Sequence, residues 1–184
     1  MREQPHDLQP QAMITQLREH AEELFGGRGI DAAYLYGSVA AGRPHPFSDV
    51  DIALLLREDK FQALTPYERL KLELELEVVI QDQCDVPNPD VRTINDAPLV
   101  FRGAVACQGV RLYSNNEAHR IAFETRTWKE FFDYQPTLRM MERAFLARLR
   151  REGLGGRTRQ AQRDVRHSGW NRRQAEDPPD LSTR

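Results

Sequence analysis

Apolar residues recur with a helical period over residues 11–25, where Met13, Ile14, Leu17, Ala21, Leu24 and Phe25 share one face. Gly26, Gly27 and Gly29 end that helix. Residues 31–36 predict a short strand. Residues 50–56 form a nearly continuous apolar run after Ser48 and Asp49, which suits a strand buried on both faces. Between residues 69 and 80, Leu70, Leu72, Leu74, Leu76 and Val78 alternate with polar residues, a strand-like pattern. A helix is nevertheless the better reading. Thr65-Pro66-Tyr67-Glu68 is a capping box with proline at the first helical position. The leucines, glutamates and lysine that follow are strong helix formers. The next strand is expected at 89–94, a short helix from Asn95-Asp96-Ala97-Pro98 to about Cys107, and a strand at 110–113. Residues 116–150 read as a long helix. Ile121, Thr125, Trp128 and Phe132 form one stripe of it, with Trp128 and Phe132 assigned to the core; Leu138, Met141, Phe145 and Leu149 follow Pro136, which should kink or split the helix.

The last 33 residues, 152–184, break the pattern, with only six apolar side chains and seven arginines against five acids. So polar a segment buries too little to offset its ordering entropy, and is expected to be a disordered tail. Three parts result: a flexible N-terminus (1–10), a folded domain (11–151) and the Arg-rich tail (152–184). With 184 residues in all, the chain has room for one real core. The formal charge of −2 argues against nucleic acid as the main ligand, because binding a phosphate backbone needs a basic field. A nucleotide remains compatible, since a cation can offset its charge. The two cysteines, Cys84 and Cys107, make neither a disulfide framework nor a zinc site and fit a reducing compartment. The first residues lack the apolar core of a signal peptide, and no run approaches the ~20 residues that span a bilayer. A soluble cytoplasmic protein is expected.

The chemistry is concentrated in residues 34–56. Gly37-Ser38 follows a strand directly and opens a helix, a place where backbone N–H groups face outward and suit phosphate. A loop rich in glycine and proline leads to Asp49-Val50-Asp51 at the head of the next strand. The period of two puts both carboxylates on one side, where they repel each other unless a divalent cation lies between them. Hard oxygen ligands favour Mg2+, with phosphate oxygens completing its shell. A phosphate turn near paired carboxylates is what phosphoryl or nucleotidyl transfer requires. His45, His119 and His167 have no partners at metal-ligand spacing, and Tyr34 and Tyr36 read as core or wall.

Gly37-Ser38, ten intervening residues and Asp49-Val50-Asp51 resemble the GSx10DxD motif of the minimal nucleotidyltransferases, in the DNA-polymerase-β-like superfamily. The resemblance extends over about residues 10–150 and takes in Asn95-Asp96-Ala97-Pro98-Leu99 and the stretch from Gly109 to Tyr113. It implies an α/β (α+β) nucleotidyltransferase fold: a small mixed sheet flanked by helices, with a long C-terminal helix. It also implies a third carboxylate on a neighbouring strand, for which Asp85 and Asp90 are candidates and Asp90 is preferred. One departure stands out. Many relatives carry arginine where this chain has Ala41, though Arg43 is close.

Chains of this size resemble the MNT antitoxin of HEPN/MNT, type VII-like toxin–antitoxin pairs. The resemblance implies transfer of AMP from ATP to a tyrosine of a HEPN-domain ribonuclease toxin, in a hetero-oligomer with that toxin. Gly37 and Ser38 would then hold the triphosphate. Asp49, Asp51 and Asp90 would bind two Mg2+ ions, and Asp90 would also take the acceptor's proton. Two other readings stay open: an antitoxin that neutralises by binding alone, and a small-molecule nucleotidyltransferase.

Overall fold

The computed structural model describes residues 9–44 and 48–153, in two compact units that divide between Tyr134 and Gln135. The N-terminal residues 1–8, His45 and the tail from 154 onward, with His167, lie outside the described residues. Expectations for those segments are not addressed by the fold.

In the first unit, α1 (Pro10–Glu19) and α2 (Ala21–Phe25) replace the single helix expected over 11–25. The break is at His20, whose backbone leaves the helical region (φ −95°, ψ 3°). Its Nδ1 lies 3.0 Å from the Gln16 carbonyl oxygen. Met13, Ile14, Leu17, Leu24 and Phe25 stay on the buried side of both pieces.

Strand β1 (Ile30–Leu35) leads through the one-turn helix α3 (Gly37–Ala40) to β2 (Val50–Leu56). Every residue of β2 except Asp51 is buried, as a strand covered on both faces requires. Helix α4 (Glu58–Ala63), unforeseen from the sequence, precedes α5 (Pro66–Cys84). Strand β3 (Pro89–Thr93), α6 (Leu99–Gln108), β4 (Val110–Ser114) and α7 (Glu117–Glu152) complete the order. The four strands form one sheet in the order β3-β2-β1-β4. β1 is antiparallel to β2 and β4, while β2 and β3 run parallel, so the sheet is mixed, as expected.

One face of the sheet packs Ile30, Leu35, Ile52 and Leu54 against α1, α2 and α5. The other packs Ala32, Tyr34, Ala53 and Leu55 against Val105 of α6 and Phe123 of α7. Gly103 of α6 lies close against Phe131 of α7: a Cβ there would stand 2.3 Å from the Phe131 ring.

The capping box on α5 is present, with Thr65 and Glu68 bonding reciprocally. The leucine–glutamate alternation in α5 serves three separate faces. Leu76, Ile80 and Cys84 are buried. Glu73 and Glu77, one turn apart, accept hydrogen bonds from the edge-strand N–H groups of Thr93 (2.7 Å) and Val91 (3.1 Å). Leu70, Leu74 and Val78 face outward. The two glutamates thus occupy an unpaired sheet edge that would otherwise invite another strand. Glu77→Ala removes a charge-assisted bond to a partly buried N–H, and is expected to lower unfolding free energy by about 1–3 kcal/mol. A urea titration of both proteins measures it.

On α7 the buried stripe differs from the expected one. Phe123 and Thr127 are buried, whereas Trp128 and Phe132, assigned to the core from the sequence, are 39% and 55% exposed. Polar groups decide the rotation. Glu124 accepts a hydrogen bond from the Tyr34 hydroxyl (2.8 Å) and pairs with Arg120, which also pairs with Glu117. That network turns the neighbouring apolar stripe outward. Pro136 does not split α7, whose assignment runs through it. The loss of one intrahelical bond is borne by a helix of 36 residues. The second unit, as described, is the part of that helix from Gln135 onward and Gly153. No helix among the described residues is long and apolar enough to cross a membrane.

Candidate active site

The chain reverses direction between β1 and β2, and the site lies at that reversal. The antiparallel register pairs Leu35 with Ile52, and the Tyr36 N–H donates to the Asp51 carbonyl at 2.9 Å. Gly37 is thereby laid against Asp51. Its φ is +71°, and a Cβ in its place would sit 2.0 Å from Asp51 Oδ2. Only glycine accommodates both the backbone angle and the carboxylate. The turn then closes on itself, with the Ala41 N–H donating to the Gly37 carbonyl (3.1 Å) and the Arg43 N–H to the Ser38 carbonyl (2.9 Å). Ser38 is half-buried at its start. With four residues, α3 is too short for a substantial macrodipole, so any grip on phosphate here rests on its local N–H groups.

Parallel pairing of β2 with β3 places Asp90 directly opposite Asp51. Asp49 is exposed, one residue before β2 begins. Burial pushes the Asp51 carboxyl up, and the negative charges of Asp90 and then Asp49 push it further. The structure therefore sets Asp51 against Gly37, with Asp90 opposite it on β3 and Asp49 one residue before β2. Asp85, the other candidate for a third carboxylate, caps the C-terminus of α5 in a left-handed conformation (φ 46°), exposed and outside the strand pairing.

Tyr36 forms a wall of the site, half-buried and edge-on to Phe101 with ring centroids 5.1 Å apart. Burial, followed by the charges of Asp51 and Asp90, raises its phenol well above the ordinary tyrosine range. It stays protonated and can donate a hydrogen bond. Asn95, in a segment the sequence resemblance singled out, has a scaffolding part. Its side chain accepts from the Leu56 N–H (2.9 Å) and donates to the Leu56 carbonyl (2.8 Å), tying the exit of β3 to the end of β2. His119 is likewise structural, with Nδ1 2.6 Å from Oδ2 of the buried Asp31.

Sequence reasoning passed over Arg92. Its Nε lies 2.8 Å from Asp90 Oδ1. The signal was available, since residues 90 and 92 share a face of the same strand.

Among the described residues, no three His, Cys, Asp or Glu side chains are gathered closely enough to hold a metal ion by themselves. The donor set still fits Mg2+, which binds through one or two carboxylates and completes its shell with water and substrate phosphate. Burial of the Asp51 carboxylate beside the like charges of Asp90 and Asp49 is the physical mark of a place for a cation. Because this carboxyl titrates above its unfolded value, its effect on stability is most favourable at low pH and is lost as pH rises through the raised value. Asp51→Asn should therefore stabilise the metal-free protein at neutral pH, by no more than about 1 kcal/mol because solvent screens a partly exposed group, with the advantage vanishing in acid. Thermal melts of both proteins in EDTA across pH 3–8 check this.

The family described as "Polymerase beta, Nucleotidyltransferase" matches residues 19–118. No curated protein matches the chain. Several solved structures share the fold. A toxin–antitoxin crystal structure with AMP-PNP has a TM-score of 0.51 at 22% identity, over 76% of this chain and 99% of that one. A tri-AMPylated Shewanella oneidensis HEPN toxin in complex with MNT antitoxin gives 0.53 at 19%, over 72% and 98%. A toxin–antitoxin structure named MntA–HepT gives 0.52 at 19%, over the same shares, 72% and 98%.

Proposed function

We propose that this chain, which belongs to the polymerase beta nucleotidyltransferase family, is the antitoxin of a toxin–antitoxin pair and transfers AMP from ATP to a tyrosine of a HEPN-domain toxin in the cytoplasm. The observation that carries the proposal is the seat of Asp51 against Gly37, with Asp90 opposite and Asp49 alongside. That arrangement sets acidic side chains beside the start of a helical turn, where the first N–H groups have no intrahelical partner. The choice of ATP is supported by the neighbour with AMP-PNP, and the choice of acceptor by the neighbour whose HEPN toxin is tri-AMPylated.

In this reading Gly37 and Ser38 present backbone N–H groups, and Ser38 its hydroxyl, to the triphosphate. Asp49 and Asp51 would hold Mg2+, with Asp90 as a further ligand. The metal would supply charge neutralisation at the phosphates and the departing pyrophosphate. The tyrosine oxygen attacks the α-phosphorus, the bond to the pyrophosphate oxygen breaks, and the phenolic proton passes to the Asp90 carboxylate. With an ordinary pKa near ~10, tyrosine needs such a base at neutral pH. The Tyr36 hydroxyl can bond to an acceptor or phosphate oxygen at the wall.

Incubating the purified chain with its cognate toxin, ATP and Mg2+ tests the proposal by intact mass. The toxin is expected to gain one or more AMP units, mapped by peptide sequencing to tyrosine. A toxin that is neutralised with unchanged mass would make the chain a binding antitoxin instead.

A further inference from the structure

Arg92 extends from β3 on the face that carries Asp90, and in the parallel register it lies opposite Ala53, two positions along from the Asp51–Asp90 pair. Its Nε contacts Asp90 Oδ1 at 2.8 Å, with side chains 53% and 33% exposed. The guanidinium charge is also felt at Tyr36, where it opposes the effect of the carboxylates on the phenol. Arg92 therefore belongs electrostatically to the site and is not a surface charge turned away from it. One oxygen of Asp90 is thus already engaged by arginine.

We propose that Arg92 is a cation-gated phosphate-binding residue: it neutralises Asp90 while the site is empty, releases that carboxylate to the divalent cation, and then binds the triphosphate of the incoming nucleotide. The proposal rests on the nucleotidyltransferase reading. An ion pair this open to solvent is held weakly, so a divalent cation can displace it. The displaced guanidinium remains on β3, the strand that carries Asp90. Its planar fork matches phosphate oxygens better than a point charge does. Ala41 offers no cation from the phosphate turn, and the Arg43 backbone folds back onto Ser38. Among the described residues, Arg92 is the arginine paired with Asp90.

Competition for Asp90 and attraction for phosphate have opposite signs, and this makes the proposal testable apart from activity. Calorimetry on the full chain would titrate Mn2+ alone, and then AMP-PNP at saturating Mn2+, into wild type, Arg92→Met and Arg92→Lys. Arg92→Met should bind Mn2+ about 3–10-fold more tightly and AMP-PNP about 10-fold or more weakly, the loss of one charge-assisted phosphate contact. Arg92→Lys, which keeps the charge and loses the fork, should fall between on both counts and serves if the methionine variant is unstable. Unchanged or weaker Mn2+ binding in both variants overturns the gating. Unchanged AMP-PNP affinity overturns the phosphate contact. If wild type binds no AMP-PNP with Mn2+ or Mg2+, the nucleotidyltransferase reading itself fails; wild-type binding with no response to Arg92 sinks the role of Arg92 alone.

Discussion

Gly37→Ala is expected to reduce nucleotidyl transfer by about 100-fold or more while leaving a folded protein. Two penalties coincide at this position. The backbone φ of +71° costs an L-residue about 1–2 kcal/mol. The added methyl would also stand 2.0 Å from Asp51 Oδ2 and 3.0 Å from its Cγ. The carboxylate has to swing away or the turn has to open, and either change displaces a ligand from the phosphate turn. Gly27→Ala separates the two penalties. Gly27 has almost the same φ, +69°, with nothing within 4 Å of the position its Cβ would take. That variant should lose stability and keep its transfer rate. The comparison needs two measurements on each protein, a thermal melt and the initial rate of AMP incorporation into toxin. Near-normal transfer by Gly37→Ala would mean that the seat of Asp51 against the turn has no part in the chemistry.

Local signals in the sequence led directly to structure. The Thr65–Glu68 box starts α5 because both partners are three residues apart on one chain segment. The apolar run 50–56 matches β2 residue for residue, since a strand buried on both faces leaves little choice of boundary. What sequence could not show was which neighbours each face would meet. Glu73 and Glu77 close the edge of β3, a fact that depends on parallel pairing with β2. The same pairing puts Asp90 rather than Asp85 opposite Asp51. Helix α7 carries apolar residues on two adjacent stripes, so periodicity alone could not choose between them. The choice falls to Tyr34, a buried phenol that requires a polar partner from the helix above it and finds Glu124. The candidate site shows the same division. The motif gave its residue types and spacing, whereas the placing of Asp90 opposite Asp51 and the wall made by Tyr36 and Phe101 come from strand register and helix packing.

Replacing Asp49 and Asp51 together with asparagine should eliminate transfer without weakening the fold. Asparagine keeps the size of each side chain and removes the charge through which Mg2+ would be held. Losing metal-centred stabilisation of phosphate charge raises a barrier by several kcal/mol, a rate loss of roughly a thousandfold or more. Stability should move the other way. Asp51 is partly buried beside Asp90 and Asp49, whose charges oppose its ionisation, so neutralising two of the three removes repulsion from the metal-free protein. The double variant should therefore melt no lower than wild type in EDTA and should lose any rise in melting temperature that Mg2+ and ATP give wild type. In cells expressing the cognate toxin, it should fail to restore growth even if it still copurifies with the toxin. The toxin should keep its unmodified mass beside the variant and gain AMP beside wild type. Full protection by a double variant that leaves the toxin mass unchanged would show that contact alone neutralises, and that the carboxylates serve some purpose other than AMP transfer.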